Sequence, residues 1–219
     1  MRRRELLFSK NGGGSYEYVD LGLASGTKWA TCNIGAETET DYGAYFAWGD
    51  VSGYTADQVG SGTGKKYFGW ADYVYGNGTS RPGATGMSKY NSTDKKVTLE
   101  LTDDAARVNM GGAWRMPTNA EFVELRNSCR WTWTTINGIN GHKVINKNDS
   151  SKYIFFPAAG LCYDGSVGGV GSSGFYWSSS LYESSVIYAW SLGIDSLDGS
   201  TSYYSRYNGR CVRGVIDNV

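Results

Sequence analysis

The chain has 219 residues, room for one domain with a substantial core, and its 21 Lys plus Arg balance 21 Asp plus Glu, leaving no field to draw phosphate backbones or anionic lipid. Nucleic acid is therefore not an expected partner, and neither is membrane insertion, because Gly, Ser or charged residues interrupt every apolar run well before the roughly 20 residues a bilayer demands. The 31 Gly, 17 Tyr and 8 Trp beside only 3 Pro suit short strands joined by many loops.

Met1-Arg2-Arg3-Arg4-Glu5-Leu6-Leu7-Phe8 has a basic opening, but its apolar run falls short of the roughly 7 to 15 residues of a secretion signal, so standard secretion is not expected. Ser9 to Ser15 reads as a flexible Gly-rich linker, which divides the chain into an attachment arm, 1–15, and a domain, 16–219. Tyr16 to Leu21 and Thr27 to Cys32 alternate on either side of Ser25-Gly26 and predict a hairpin. Residues 52–92 carry no sustained periodicity and predict a long irregular insertion. Thr102, followed by Asp103 and Asp104, predicts the N-cap of a short helix reaching about Asn109. Thr118 and Glu121 form a capping box after Pro117, and Phe122, Leu125 and Cys129 set an apolar stripe for a second helix. Beyond it, Trp131 to Thr135 alternates, Asn137-Gly138 and Asn140-Gly141 are turn dipeptides, and Tyr153 to Phe156 predicts a buried strand. Further strands are expected at Phe175 to Leu181, Ile187 to Leu192 and Gly209 to Val215. The fold class is α+β: short antiparallel strands, two short helices and long irregular loops. Trp29, Trp48, Trp114, Phe122, Leu125, Phe156 and Trp177 are its expected core.

Catalytic chemistry finds little support. His142 is the only histidine and lies beside a turn dipeptide, so it is expected to be solvated and replaceable by Ala without consequence. Gly169-Val170-Gly171-Ser172-Ser173-Gly174 matches a dinucleotide fingerprint in letters, but Phe175-Tyr176-Trp177 continues as strand where a helix is required; it reads as a Gly-rich loop. Asp195-Ser196-Leu197-Asp198-Gly199 lacks the alternate carboxylate and the distant Glu of a calcium loop and reads as a plain turn. Asp103 and Asp104 are adjacent, about 100° apart on a helix, and suit capping better than paired-acid catalysis. Cys32, Cys129, Cys162 and Cys211 have no metal or redox spacing and read as buried free thiols, with a disulfide as the alternative. No catalytic residue, metal site or cofactor is expected.

Residues 182–208 stand apart. Tyr182, Tyr188, Trp190, Tyr203, Tyr204 and Tyr207 alternate with Ser184, Ser185, Ser191, Ser196, Ser200, Ser202 and Ser205; Lys is absent and Glu occurs once. Large rigid rings among small adaptable hydrogen-bonding groups are the composition of a binding surface, although a twisted sheet with aromatics packed inside also uses Tyr and Ser. The consecutive Tyr203 and Tyr204 must point to opposite faces of a strand.

Val19-Asp20-Leu21-Gly22-Leu23, Ser25 through Ala36, Asp41-Tyr42-Gly43 and Phe46-Ala47-Trp48-Gly49 carry a resemblance, continued in order by Trp114-Arg115-Met116-Pro117-Thr118, Phe156-Pro157-Ala158-Ala159-Gly160, Tyr176-Trp177-Ser178-Ser179-Ser180 and Gly209-Arg210-Cys211-Val212-Arg213. Over residues 16–215 the chain is similar to the Fibrobacter-type paralogous domain and to variable proteins of diversity-generating retroelements from gut bacteria and their phages. The resemblance implies a C-type-lectin fold related to formylglycine-generating enzymes, without their activity, since no cysteine pair matches theirs. It implies a variable region at about 176–213, rewritten at template adenines. Such codons yield Tyr, Ser, Asp, Gly, Ile or Asn, and 184–208 contains no Lys, Gln or Met; Trp190 lies outside that set, and Gly214 stands where the family commonly has Pro. The expected ligand-binding residues are Tyr182, Ser184, Tyr188, Trp190, Ser191, Gly193, Asp195, Ser202, Tyr203, Tyr204, Tyr207 and Asn208, with eight of them, including Asp195, Tyr204, Tyr207 and Asn208, expected on one exposed face. The implied role is a non-enzymatic display protein on a virion or cell-surface assembly, attached by its N-terminal arm and recognising a protein or glycan receptor. The alternative is a carbohydrate-binding or structural virion domain without diversification.

Overall fold

A computed structural model describes the backbone of Leu7–Phe8 and residues 16–78 and 86–217. The Gly-rich linker lies outside the described residues. Among the described residues, two helices and three sheets make up the frame, an α+β arrangement dominated by strands. In chain order these are β1 Leu7–Phe8, β2 Glu17–Asp20, β3 Lys28–Ala30, α1 Ala105–Met110, α2 Asn119–Ser128, β4 Cys129–Ile136, β5 Ile139–Asn146, β6 Tyr153–Pro157, β7 Ala159–Tyr163, β8 Ser166–Val170, β9 Ser173–Leu181, β10 Tyr188–Asp195, β11 Gly199–Ser205 and β12 Val215–Ile216. The sheets run β1-β2-β3-β12, β4-β5-β6 and β11-β10-β9-β7-β8. All pairings are antiparallel except a single parallel register between β7 and β9, Gly160 opposite Gly174.

The expected first hairpin forms, with Val19 opposite Trp29. Leu7 and Phe8 extend its sheet by pairing with Tyr18 and Glu17, so part of the predicted arm lies on the sheet edge. Asn137 and Gly138 both take positive φ, 51° and 81°, the two-residue turn that matches strand twist, and they join β4 to β5. The second dipeptide, Asn140-Gly141, is a correction: it lies within β5. A Cβ on Gly141 would stand 2.2 Å from the Phe156 carbonyl oxygen, so this glycine permits close strand approach and makes no turn.

Both helices exist, with one change of cap. Glu121 N donates to Thr118 Oγ1 and Thr118 N to Glu121 Oε2, at 3.2 and 2.7 Å, completing the expected capping box of α2, whose Phe122 and Leu125 are buried with Cys129 just beyond. The N-cap of α1 is Asp104, not Thr102. Its carboxylate accepts from Arg107 N at 2.9 Å and also from Met116 N at 2.8 Å, a second partner that a threonine two residues earlier has no reach to hold. Asp103 meanwhile pairs with Lys89 and accepts from the Tyr90 hydroxyl, anchoring the long insertion, whose described residues contain only two single-turn helices, Ala56–Gln58 and Trp70–Asp72.

The strand expected at Gly209 to Val215 is a correction, and it concerns residues 209–216. They are extended and wholly buried, but their partners change residue by residue: Gly209 bridges Cys162, Arg210 bridges Phe46, Cys211 bridges Tyr176 and Val215 bridges Arg115. The segment threads between sheets, and only Val215–Ile216 joins a ladder. All seven expected core residues are at most 2 % exposed, and all four cysteines are buried and free. Two of the buried tryptophans meet the requirement that a buried N–H find an acceptor, Trp48 Nε1 donating to Ser178 O and Trp177 Nε1 to Phe46 O at 2.8 and 2.9 Å, whereas Trp29 Nε1 has no partner among the described residues.

Candidate functional site

The site is built on β9, β10 and β11. Directly opposed residues of an antiparallel ladder share a face, so Trp190 opposite Tyr203 and Tyr188 opposite Ser205 define one side. Tyr182, just beyond β9, stacks on Tyr203 with centroids 3.9 Å apart and planes 11° from parallel. Trp190 meets Tyr182 edge-on at 5.4 Å, and Tyr188 lies 5.5 Å from Tyr203. Four rings thus form one cluster. Tyr203 is 42 % exposed, and the Tyr182 phenol beside it pushes its ionisation up. Farther along the same face, Leu192 and Ile194 join Phe122 and Leu125 of α2 in the core. The helix therefore roofs one end of this face, and the rings occupy the other. Ser184 is exposed in the connection that follows Tyr182.

Of the eight residues expected on one exposed face, Asp195, Tyr204, Tyr207 and Asn208 do not join them, which corrects that expectation, and Ser191, Gly193 and Ser202 of β10 and β11 lie apart as well. Ala189 opposite Tyr204 and Ser191 opposite Ser202 place Ser191, Gly193, Ser202 and Tyr204 on the reverse side. There Ser191 is fully buried, and Tyr204 meets the Phe175 ring at 6.1 Å. The cause is the two-residue period of a strand, which composition does not report. Asp195 belongs to the β10–β11 turn, where its Oδ1 accepts from Leu197 N at 2.8 Å and Asp198 N at 3.3 Å, the plain turn expected of this stretch. Tyr207 packs against Trp70 at 4.8 Å and Asn208 is buried. Both follow Arg206, whose burial draws the chain inward.

Arg206, Arg210 and Arg213 are all fully buried. Arg206 Nε donates to Tyr73 Oη at 2.8 Å and its terminal nitrogens reach the carbonyls of Tyr90, Val186 and Lys89 at 3.1, 2.8 and 3.0 Å. Arg213 donates to Asn33 Oδ1 and to the carbonyls of Ala30, Thr31 and Phe155, at 2.8 to 3.0 Å. Arg210 makes one side-chain hydrogen bond, from Nη1 to Ser191 Oγ at 2.8 Å. Composition did not mark it as a site residue; an arginine inside an otherwise buried run was the available signal.

His142 is also a correction. It is 3 % exposed, because Gly141 continues the strand and sets His142 opposite Trp133 and Phe156. Its Nε2 lies 2.7 Å from the Asp195 carbonyl oxygen, which can only accept, so Nε2 carries the proton. Burial pushes its pKa below the ordinary 6.5. The GxGxxG stretch lies across a strand turn: β8 ends at Val170, Gly171-Ser172 turn, and β9 begins at Ser173. Among the described residues no group of three or more His, Cys, Asp or Glu is placed to hold a metal ion, and no helix is long and apolar enough to cross a membrane.

A family model described as a domain of unknown function (DUF8237) is similar to residues 123–215, less than half of the chain but a stretch that contains all five strands of the sheet bearing the site. No curated protein and no solved structure matches the chain.

Proposed function

We propose that the protein is a non-catalytic binding protein of C-type-lectin fold whose C-terminal sheet displays an aromatic surface to a protein or glycan receptor, as a variable protein of a phage tail or surface adhesin would. The observation that carries this reading is the cluster of Tyr182, Tyr188, Trp190 and Tyr203, partly uncovered on a rigid three-strand ladder. Clustered exposed rings are an apolar liability that a protein keeps when something binds them. Rings of this kind act as anchors that each contribute about 2 kcal/mol or more, with small polar neighbours that exclude water. The hypervariable origin is supported by the Tyr, Ser, Asp, Gly and Asn character of 184–208.

The test compares the native chain with a Tyr182→Ser, Tyr203→Ser double variant on a glycan array and on intact bacterial cells. Saturable binding by the native chain, lost in a variant that unfolds at nearly the same temperature, is the expected outcome. A folded variant that binds as the native chain does would overturn the assignment. Diversification is read separately, from an adenine-biased near-copy of codons 176–213 at the locus.

A further inference from the structure

On the reverse side of the sheet, the three buried arginines invite comparison. Arg206 and Arg213 each make four hydrogen bonds from three nitrogens, whereas Arg210 Nε and Nη2 have no partner among the described residues. A buried cation left with unmet donors is costly, and packing alone requires no guanidinium there. What surrounds Arg210 is aromatic: its Cζ lies 4.7 Å from the Trp177 ring centroid, 4.9 Å from Phe175 and 3.8 Å from Tyr204. Trp177 is fully buried, but Phe175 and Tyr204 are partly exposed, so the short way to solvent runs between those two rings.

The chemistry of the two unmet donors is specific. Nε and Nη2 form one edge of the guanidinium, a fork that matches the two oxygens of a carboxylate. The same edge of Arg115 holds a carboxylate in this molecule: its Nε donates to Asp217 Oδ2 at 3.3 Å and its Nη2 to Asp217 Oδ1. We propose that Arg210 is the floor of a carboxylate-binding site on the face carrying Ser191, Gly193 and Ser202, with the Tyr204 ring as its movable cover. Ser191 Oγ holds Nη1 and so turns the Nε–Nη2 edge away from itself. Gly193 adjoins the Phe175 ring, which a Cβ there would meet at 3.4 Å, an ordinary contact, so its amide lies beside the proposed approach. Burial pushes the Arg210 ionisation down to about 9, which leaves it charged at neutral pH and eager for a counter-ion. The site lies opposite the aromatic cluster and does not depend on its role.

The experiment titrates the full chain with sodium acetate, against sodium chloride at equal ionic strength, while following the Arg210 Nε–H and Gly193 amide signals by NMR. Acetate should move both saturably and chloride should not. The Gly193 response should vanish in Arg210→Met. Tyr204→Ala should tighten acetate on the order of tenfold, as expected when a cover open about a tenth of the time is removed. Should Arg210→Met fail to fold, Tyr204→Ala still decides. An Arg210 Nε–H signal that acetate leaves unmoved in both the native chain and Tyr204→Ala overturns the site, as does an equal response to chloride. Repeating the titration with N-acetylaspartate amide and with glucuronate then distinguishes a peptide acid from a sugar acid.

Discussion

Buried charge in this protein is governed by what each group finds as a partner. Arg213 satisfies the carbonyls of Ala30, Thr31 and Phe155 together with Asn33, so Arg213→Met would strand four acceptors inside the core. A loss of about 3 kcal/mol or more is expected, read from the urea midpoint. His142 makes a pH prediction. Its folded pKa is depressed by burial, so between its ordinary and depressed values the unfolded chain binds more protons than the folded one. Stability is then complete above the ordinary 6.5 and falls as pH drops below it. The unfolding temperature should decline from pH 7 toward pH 5, and His142→Gln should flatten that decline. Equal slopes for the two proteins would show that His142 is not the group responsible. The expectation that His142 is replaceable without consequence gives way here, because its neighbours on β4 and β6 lie far from it in sequence and so were not visible beside it.

At the scale of the element, strand alternation decides which tyrosines are available. Tyr182 and Tyr203 stack on each other in a partly solvated cluster, whereas Tyr207 is packed on Trp70 of the insertion. Tyr182→Ser with Tyr203→Ser should therefore cost about 1 kcal/mol or less, while Tyr207→Ser should cost about 2 kcal/mol despite removing one ring instead of two. Calorimetry of the two variants checks the order, and a reversed order would mean that the cluster belongs to the core. The elements themselves were legible where local rules suffice. The capping box of α2, the Asn137-Gly138 turn and the alternation of β4 each need only neighbours in sequence. Asn140-Gly141 obeyed the same turn rule and was placed in a strand, because a glycine's second use, close strand approach, depends on Phe156 across the ladder.

Across the whole molecule, the long insertion is tied to the rest of the fold by Phe68, Tyr73, Met87 and Tyr90, which are buried in the core, and by a set of polar contacts. Lys89 and Tyr90 hold Asp103 ahead of α1, and Arg206, from the end of β11, donates to the carbonyls of Lys89 and Tyr90 and to the Tyr73 hydroxyl. Asp103→Ala should loosen residues 86–90, which Asp103 holds through Lys89 and Tyr90, without unfolding the sheets, raising amide exchange there while the β9–β11 amides stay protected. Uniform loss of protection would show that the insertion is part of the cooperative core. Residue pattern alone sufficed for the class of elements, the two helices, half of the described strands, the aromatic core and the C-terminal stretch that bears the rings, since propensity, capping and period are properties of neighbouring residues. Tertiary contacts settle which rings share a face, that Arg206 draws Tyr207 and Asn208 inward, that His142 is buried, and that, of the buried arginines among the described residues, Arg210 keeps a free donor edge. Those outcomes depend on strand register and on partners tens of residues away, and no local pattern encodes them.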